Sequence, residues 1–312
     1  MLANAYNMGI STLAPTDENT SRFGLAITLG GGEVIPLELA NSYSAFANGG
    51  YKVDPVSILK VTDRNGKVLF ENKSQDKKQV LDSGIAFIIS HMLLDNNARL
   101  ITFGANSYLN IQGRDVAVKT GTTDDKRDNW AIGWTPNVLV ATWVGNNDNS
   151  EMGSVASGVT GATPIWRRII LEAMKDRPVT SFQKPDNVIA VTVDSYVGGL
   201  PVDGKPTRSE YFIKGTEPQA VSPIYINYDN KYFYKFTEKD PVSTDGTNRW
   251  QQGIDEWIVQ NYKDDPSYHP PDIKKNDDEN KDKDEEVTPT PTPSPTSEAT
   301  PTPTETPTPT PG

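Results

Sequence analysis

Val116-Ala-Val-Lys-Thr-Gly-Thr-Thr123 is the stretch of sequence around which the rest of the fold is predicted. Its first three residues form a short apolar run, which predicts a strand. Side chains alternate between the two faces of a strand, so we expect Lys119 and Gly121 on one face and Thr120 and Thr122 on the other. A glycine there lets a ligand backbone lie against the strand. The stretch therefore indicates the floor of a peptide site, with a cation and hydroxyl groups at its rim.

Two further apolar runs, residues 130–135 and 138–144, follow this strand and are joined tightly through Pro136 and Asn137. The three runs together predict an antiparallel meander. Another hairpin is predicted around Asp63-Arg-Asn-Gly66, between strands at residues 56–61 and 68–70. Arg127 and Asp128 are expected to form a structural ion pair or turn. Residues 1–24 are expected to be a helix end followed by a loop.

Apolar spacing, cap residues and proline positions predict three long helices, which begin at Pro36, at Asp82 or Ser83, and at Thr163. Their predicted inward residues are Leu37, Ala40, Ser44 and Ala47 in the first, Ile85, Ile88, Ile89, Met92 and Leu93 in the second, and Ile165, Ile169, Ile170 and Met174 in the third. Helices before and after a meander favour an α+β or α/β layered domain.

The sequence after Val179 changes to short β-type pieces separated by turn residues, and a last helix is predicted over 247–262. From Asp272 onward the chain is charged and then rich in Thr-Pro repeats, which predicts a disordered tail because such a segment has little apolar area to bury. We therefore expect three parts: residues 1–177, a small β-rich region at 178–270, and the tail at 271–312.

Composition excludes several classes of function. The net charge of −11 comes without a basic patch, which argues against nucleic-acid binding. The chain has no cysteine and two histidines, so neither a thiolate metal site nor a multi-histidine site is expected, and no cofactor is expected. No segment approaches the ~20 apolar residues of a membrane span, and the N-terminus does not resemble a signal peptide.

Five stretches carry a resemblance to a known family: Lys119-Thr-Gly-Thr-Thr-Asp-Asp-Lys-Arg-Asp-Asn-Trp-Ala-Ile-Gly-Trp-Thr-Pro136, Val138-Leu-Val-Ala-Thr-Trp-Val-Gly-Asn-Asn-Asp148, Leu25-Ala-Ile-Thr-Leu-Gly-Gly-Gly32, Pro36-Leu-Glu-Leu-Ala-Asn-Ser-Tyr-Ser-Ala-Phe-Ala-Asn-Gly-Gly50 and Ala162-Thr-Pro-Ile-Trp166. They resemble the transpeptidase domain of penicillin-binding proteins, in particular the bifunctional class A members. The resemblance covers roughly residues 1–177. It implies the α+β, β-lactamase-like fold of that domain, with an antiparallel sheet and flanking helices.

The resemblance also implies roles for the residues of the Lys-Thr-Gly strand. Lys119 would tune a relay serine and attract the substrate, and is the candidate catalytic residue. Thr120 and Thr122 would bind the terminal carboxylate of the substrate, and Gly121 would keep the strand approachable. The N–H of Thr122 would be half of an oxyanion hole, a type of contact worth about 3–4 kcal/mol.

Two motifs of this family have no convincing counterpart in the chain. Ser-x-Asn is absent, and Ser-x-x-Lys occurs only at Ser57, Ser74 and Ser181. Ser57 is expected in a strand, where residues three apart point to opposite faces, and Ser74 in a polar surface linker. Ser181 follows the Lys-Thr-Gly strand, whereas the family's nucleophile precedes it, so we expect all three to be chance matches. The chain is therefore expected to be a gene fragment or a truncated reading frame, without the nucleophile.

The expected activity of the parent protein is D,D-transpeptidation of a peptidoglycan stem peptide ending in D-Ala-D-Ala, with β-lactams acylating the same serine. This chain is expected to be inactive alone. The alternatives are a non-catalytic peptidoglycan-binding or scaffold module, or a split enzyme completed by a second chain. The expected location is the outer face of the cell membrane or the cell wall, reached through an N-terminal anchor outside this sequence. Because a half-domain leaves apolar faces uncovered, exposed apolar surface is expected.

Overall fold

The computed structural model of the chain describes residues 1–73, 76–153, 159–236 and 238–269. Its helices are α1 (Leu2–Asn7), α2 (Asp17–Phe23), α3 (Pro36–Ala47), α4 (Ser83–Leu94), α5 (Asn96–Phe103), α6 (Ala162–Met174) and α7 (Arg249–Tyr262). Its strands are β1 (Tyr51–Val53), β2 (Lys60–Thr62), β3 (Val68–Glu71), β4 (Lys77–Gln79), β5 (Ala117–Thr122), β6 (Asp128–Trp134), β7 (Leu139–Gly145), β8 (Val188–Asp194), β9 (Thr207–Ile213), β10 (Tyr225–Tyr228) and β11 (Lys231–Tyr234).

The central sheet is the predicted antiparallel meander, with strand order β5-β6-β7. Its two faces pack against different helices, because side chains alternate along each strand. Val118, Ala131 and Val140 lie in one apolar cluster with Trp166 and Ile170 of α6. The opposite face carries Ala117, Ile132 and Trp134, which pack with residues of α3 and α4. The sheet is thus the middle layer of a helix–sheet–helix arrangement, and the predicted α+β class is confirmed.

The three long helices are where the sequence predicts them, but their buried faces agree with the prediction only in part. Leu37 of α3 is 65% exposed, Met92 of α4 is 61% exposed, and Ile165 and Ile169 of α6 are almost half exposed. The residues that α4 buries are Gly84, Ala86, Phe87 and Ser90. Ile170 and Met174 of α6 are buried as predicted, whereas α4 buries small, polar and aromatic residues in place of the large aliphatic ones that its spacing indicated.

Trp134 and Trp166 are the largest side chains of the two layers, and both are fully buried. The indole N–H of Trp134 donates to Ser90 Oγ at 3.0 Å, which satisfies a polar group inside the core. The Trp166 ring lies against the bare backbone of Gly133, where an added Cβ would stand 2.3 Å from its nearest atom. A glycine in mid-strand is therefore what allows α6 to approach the sheet.

Some local structure differs from the sequence expectation. Residues 1–24 contain two helices, α1 and α2, rather than a helix end and a loop. The hairpin at Asp63–Gly66 is confirmed, but its first strand begins only at Lys60, so Ser57 lies in a bend before β2 and not in a strand. Strands β1 and β4, which precede and follow this hairpin in the sequence, pair antiparallel. Lys77, which was expected in a polar linker, is the first residue of β4. The expected exposed apolar surface is present: Leu25 and Leu29 are 88% and 94% exposed.

The part after α6 contains short strands and the final helix α7, as predicted, and the strands pair as two antiparallel hairpins, β8–β9 and β10–β11. Tyr225 and Tyr234 form a small core with Val202 and Ile258, so packing accounts for the aromatic residues of this region. Its polar centre is the fully buried Asp194, which accepts the hydroxyl of Tyr225 at 2.6 Å. The predicted disordered tail at 271–312 and Ser74 lie outside the described residues. None of the helices within the described ranges is long and apolar enough to cross a membrane.

Candidate functional site

The candidate site is built on β5, which is an edge strand of the central sheet in the described part of the chain. Its first residues, Ala117 and Val118, are buried and anchor it, whereas Lys119 and Thr122 are exposed. An edge strand presents backbone N–H and C=O groups that its single neighbour does not use. A peptide in extended conformation can therefore pair with this edge through its main chain.

The predicted alternation of side chains along β5 agrees with the register. Lys119 pairs with Ile132 and Gly121 with Trp130, so both lie on the face that carries α3 and α4. Thr120, which pairs with Ala131, lies on the other face. The ammonium group of Lys119 donates to the carbonyl oxygen of Thr120, which keeps the cation beside the strand end.

Gly121 leaves the strand surface open at the middle of the motif. An added Cβ would meet only Trp130, at 3.5 Å from its Cβ, which is an ordinary van der Waals contact. The glycine is therefore not required by crowding within the sheet, in contrast to Gly133. The space that a side chain would fill is available to the backbone of a ligand.

The turn that leaves β5 is fastened by Thr123 and Asp128. The Asp128 backbone N–H donates to Thr123 Oγ1 at 2.8 Å, the Thr123 N–H donates to the Asp128 carbonyl at 3.1 Å, and the Thr123 hydroxyl donates to the Asp128 carboxylate at 3.2 Å. The indole N–H of Trp143 on β7 donates to the same carboxylate at 2.8 Å. Asp128 thereby ties the end of β5 to the far strand of the sheet.

Arg127 joins this turn to the loop after β7. Its guanidinium donates to the Asn149 carbonyl at 2.6 Å and lies 3.5 Å from the carboxylates of Asp125 and Glu151. Asp125 and Lys126 have positive φ angles of 57° and 54°, a strained conformation for residues other than glycine that the surrounding contacts must hold. The expectation of a structural role for Arg127 and Asp128 is confirmed. Sequence reasoning missed the contact between Asp128 and Trp143, for which the chain offers no local signal.

Neither of the two candidate serines in the described residues, Ser57 and Ser181, lies one helical turn before a lysine as the motif requires. Ser57 is exposed in its bend. Ser181 is exposed between α6 and β8, and Lys184, three residues later, donates to the carbonyl of Val188 at 2.7 Å. Within the described ranges no group of three or more His, Cys, Asp or Glu side chains is placed to hold a metal ion.

Comparison with known proteins gives consistent matches. Residues 6–170 match the family model of the penicillin binding protein transpeptidase domain, and residues 184–227 match that of the penicillin-binding protein 1A C-terminal domain. Penicillin-binding protein 2D of Bacillus subtilis (strain 168) is 36% identical over 205 residues, which cover 63% of this chain and 28% of that protein. Penicillin-binding protein 1A of Clostridium botulinum (strain Langeland) is 31% identical over 259 residues, which cover 77% of this chain and 31% of that protein.

A solved structure supports the same assignment. The crystal structure of penicillin-binding protein 1A from Haemophilus influenzae superposes with a TM-score of 0.53 at 26% identity, over 64% of this chain and 36% of that chain. The chain therefore spans about a third or less of the length of these relatives.

Proposed function

Because the chain belongs to the penicillin-binding protein transpeptidase family, as part of a class A member, we propose that it supplies one wall of a D,D-transpeptidase site. The observation that carries the proposal is the exposed end of edge strand β5, where a lysine, two threonines and a bare glycine follow a buried anchor. The substrate would be a peptidoglycan stem peptide that ends in D-Ala-D-Ala. β-Lactams would occupy the same position.

In this proposal each residue of the strand has one task. The positive charge of Lys119 attracts the terminal carboxylate and lowers the cost of removing a proton from a nearby serine. The hydroxyls of Thr120 and Thr122 donate hydrogen bonds to the carboxylate, which are stronger because the acceptor is charged. Gly121 lets the peptide backbone pair with the strand edge, and the N–H of Thr122 stabilises the developing oxyanion.

The nucleophile of the reaction is the part that this chain does not provide. In the complete reaction a serine attacks the carbonyl carbon between the two D-alanines, D-alanine leaves, and the acyl group passes from the serine to an amine of a neighbouring stem. The positions of Ser57 and Ser181 support the interpretation that neither is this serine. We infer that the 312-residue chain alone forms no acyl-enzyme, and that its place of action is the outer face of the cell membrane or the cell wall.

Labelling with a fluorescent penicillin tests this inference. The purified chain is expected to show no covalent band after denaturing electrophoresis, while an intact class A penicillin-binding protein in the same experiment is labelled. A band that disappears on substitution of Ser57, Ser74 or Ser181 by alanine would overturn the proposal. A band that forms only after a second chain is added would support the split-enzyme alternative instead.

A further inference from the structure

Helix α4 lies between the hairpin β8–β9 and the strand that carries the candidate site. It contacts β9 on one side and β5 on the other. The sequence assigns the hairpin to a separate β-rich region, and the 184–227 match begins just before it. The contacts of α4 nevertheless join the hairpin to the central sheet.

The first of these contacts is a close approach at the beginning of α4. Gly84 is buried, and an added Cβ there would stand 2.4 Å from the Ile213 side chain and 2.9 Å from that of Val188. The paired ends of β9 and β8 therefore rest almost directly on the helix backbone. Such an interface transmits displacement, because it has no flexible side chain on the helix to absorb it.

The second contact is a shared helix cap. Asp82 caps α4 by accepting the N–H groups of Gly84 at 2.8 Å and Ile85 at 3.3 Å. Asn187, next to β8, donates its side-chain N–H to the same carboxylate oxygen at 2.9 Å. The hydrogen bond from Asn187 is the main reason that the pKa of Asp82 lies below its ordinary value, followed by the bonds from the two backbone groups. The hairpin thus helps to fix the start of the helix.

The third contact is aromatic. The ring of Tyr211 on β9 packs edge-on against Phe87 at a centroid distance of 5.2 Å and against His91 at 4.6 Å. Both partners lie on α4, one turn apart, so the tyrosine fixes the rotation of the helix as well as its position. Edge-on aromatic pairs contribute about 0.5–1.5 kcal/mol each beyond their buried area.

The other side of α4 reaches the site strand. Ser90 is fully buried and accepts the indole N–H of Trp134 at 3.0 Å. Trp134 pairs in register with Ala117, which lies two residues before Lys119 on β5. A continuous set of contacts therefore runs from β9 through α4 and β6 to the anchor of the candidate site.

We propose that the β8–β9 hairpin positions the strand that carries Lys119, acting through α4, with Tyr211 and Asn187 as positioning residues. The inference rests on the proposed function, since that function is what makes the placement of Lys119 matter. In this view the hairpin is a support of the transpeptidase site, and its aromatic and cap contacts set how rigidly β5 is held.

Amide hydrogen exchange of the whole chain, followed by mass spectrometry, tests the coupling without any ligand. Tyr211→Ala removes both ring contacts and is expected to speed exchange in residues 117–122 by about tenfold. Tyr211→Phe keeps the ring and is expected to leave that exchange unchanged. Tyr225→Phe is the matched control: it breaks the hydrogen bond to Asp194 at the end of β8, away from the contacts with α4, and should speed exchange in β10, β11 and the end of β8 but not in residues 117–122.

Equal exchange rates in residues 117–122 for Tyr211→Ala and the wild type would overturn the proposal, and so would an increase of the same size in the Tyr225→Phe control. If Tyr211→Ala fails to fold, Asn187→Ala replaces it, because this variant removes one hydrogen bond to the cap of α4. It is expected to speed amide exchange in residues 117–122 by a smaller factor, and an unchanged exchange rate in these residues would also count against the proposal. Failure of the proposed function would appear differently, as a lack of peptide binding at β5 while the exchange coupling remains.

Discussion

Substituting alanine for two glycines of the same sheet gives opposite expected effects on stability. In Gly133→Ala the new methyl group would lie 2.3, 2.7 and 2.8 Å from three atoms of the Trp166 ring. That ring is rigid and fully buried between α6 and the sheet, so it cannot turn away into solvent. In Gly121→Ala the methyl group would lie 3.5 Å from the nearest atom, in ordinary contact.

The magnitudes follow from these distances. Overpacking of a buried site costs about 1–3 kcal/mol, so Gly133→Ala should lower the free energy of unfolding by that amount. With about 2–4 °C per kcal/mol for a chain of this size, the melting temperature should fall by about 2–12 °C. Gly121→Ala should be neutral or gain about 0.4–1 kcal/mol, because the unfolded chain loses freedom and the folded strand accommodates the methyl group.

Thermal and urea unfolding followed by near-ultraviolet circular dichroism measure both variants. A third variant, Trp166→Phe, tests whether crowding against Trp166 causes the destabilisation of Gly133→Ala. The Trp166 Nε1 has no hydrogen-bond partner within the described residues, so replacing the indole by a phenyl ring removes volume only. Gly133→Ala combined with Trp166→Phe should be less destabilised than the sum of the two single effects. Additive effects, or a Gly121→Ala variant as unstable as Gly133→Ala, would refute the packing argument.

Two further predictions concern polar groups of α4. Asp82→Ala should lower the free energy of unfolding by about 1 kcal/mol at pH 7, because the helix cap is lost. The pKa of Asp82 is lower in the folded chain than in the unfolded one. The stability difference between wild type and variant should therefore be present above pH 4 and shrink as the pH falls through the folded pKa. A constant difference between pH 7 and pH 2 in urea unfolding would contradict it. Ser90→Ala should lower the free energy of unfolding by about 1–3 kcal/mol, because the buried Trp134 N–H loses its acceptor. Thr142→Val is the control: it removes a buried hydroxyl that has no partner in the described part of the chain and should leave stability nearly unchanged. Equal losses of stability in thermal unfolding would show that the hydrogen bond is not the cause.

The sheet and the long helices are predictable from the sequence because their signals are local. β5, β6 and β7 coincide with apolar runs, the last two joined by a tight turn, and the starts of α4 and α3 are visible as the cap Asp82 and the first-turn Pro36. The buried faces are not predictable in the same way. Ile165, Ile169 and Ile170 all belong to the predicted inward stripe, yet only Ile170 of the three is buried, and the unpredicted Trp166 meets the sheet beside it. Periodicity shows that a helix has an apolar stripe, and tertiary contact decides which stripe is covered.

Short elements and long-range contacts account for most of what the sequence did not reveal. α2 and α5 are short helices of seven and eight residues whose caps, Thr16 and Asp95, resemble ordinary turn residues. β4 consists of Lys77, Lys78 and Gln79, and it is a strand only because β1 pairs with it. The same applies to the site. Lys119 and Gly121 were predicted from their motif, but the Trp143 contact and the α4 bridge join residues distant in sequence.

The central claim, that β5 holds the end of a D-Ala-D-Ala peptide, is tested most directly by a titration of the ¹⁵N-labelled chain with an acylated D-Ala-D-Ala dipeptide, observed by NMR. Binding at β5 predicts chemical-shift changes at the backbone amides of residues 117–122, an affinity about tenfold lower in Lys119→Met because a charged hydrogen bond is lost, and no changes with the L-Ala-L-Ala enantiomer. Shift changes confined to residues 178–269 and unaffected by Lys119→Met, or no changes at β5 at all, would contradict it.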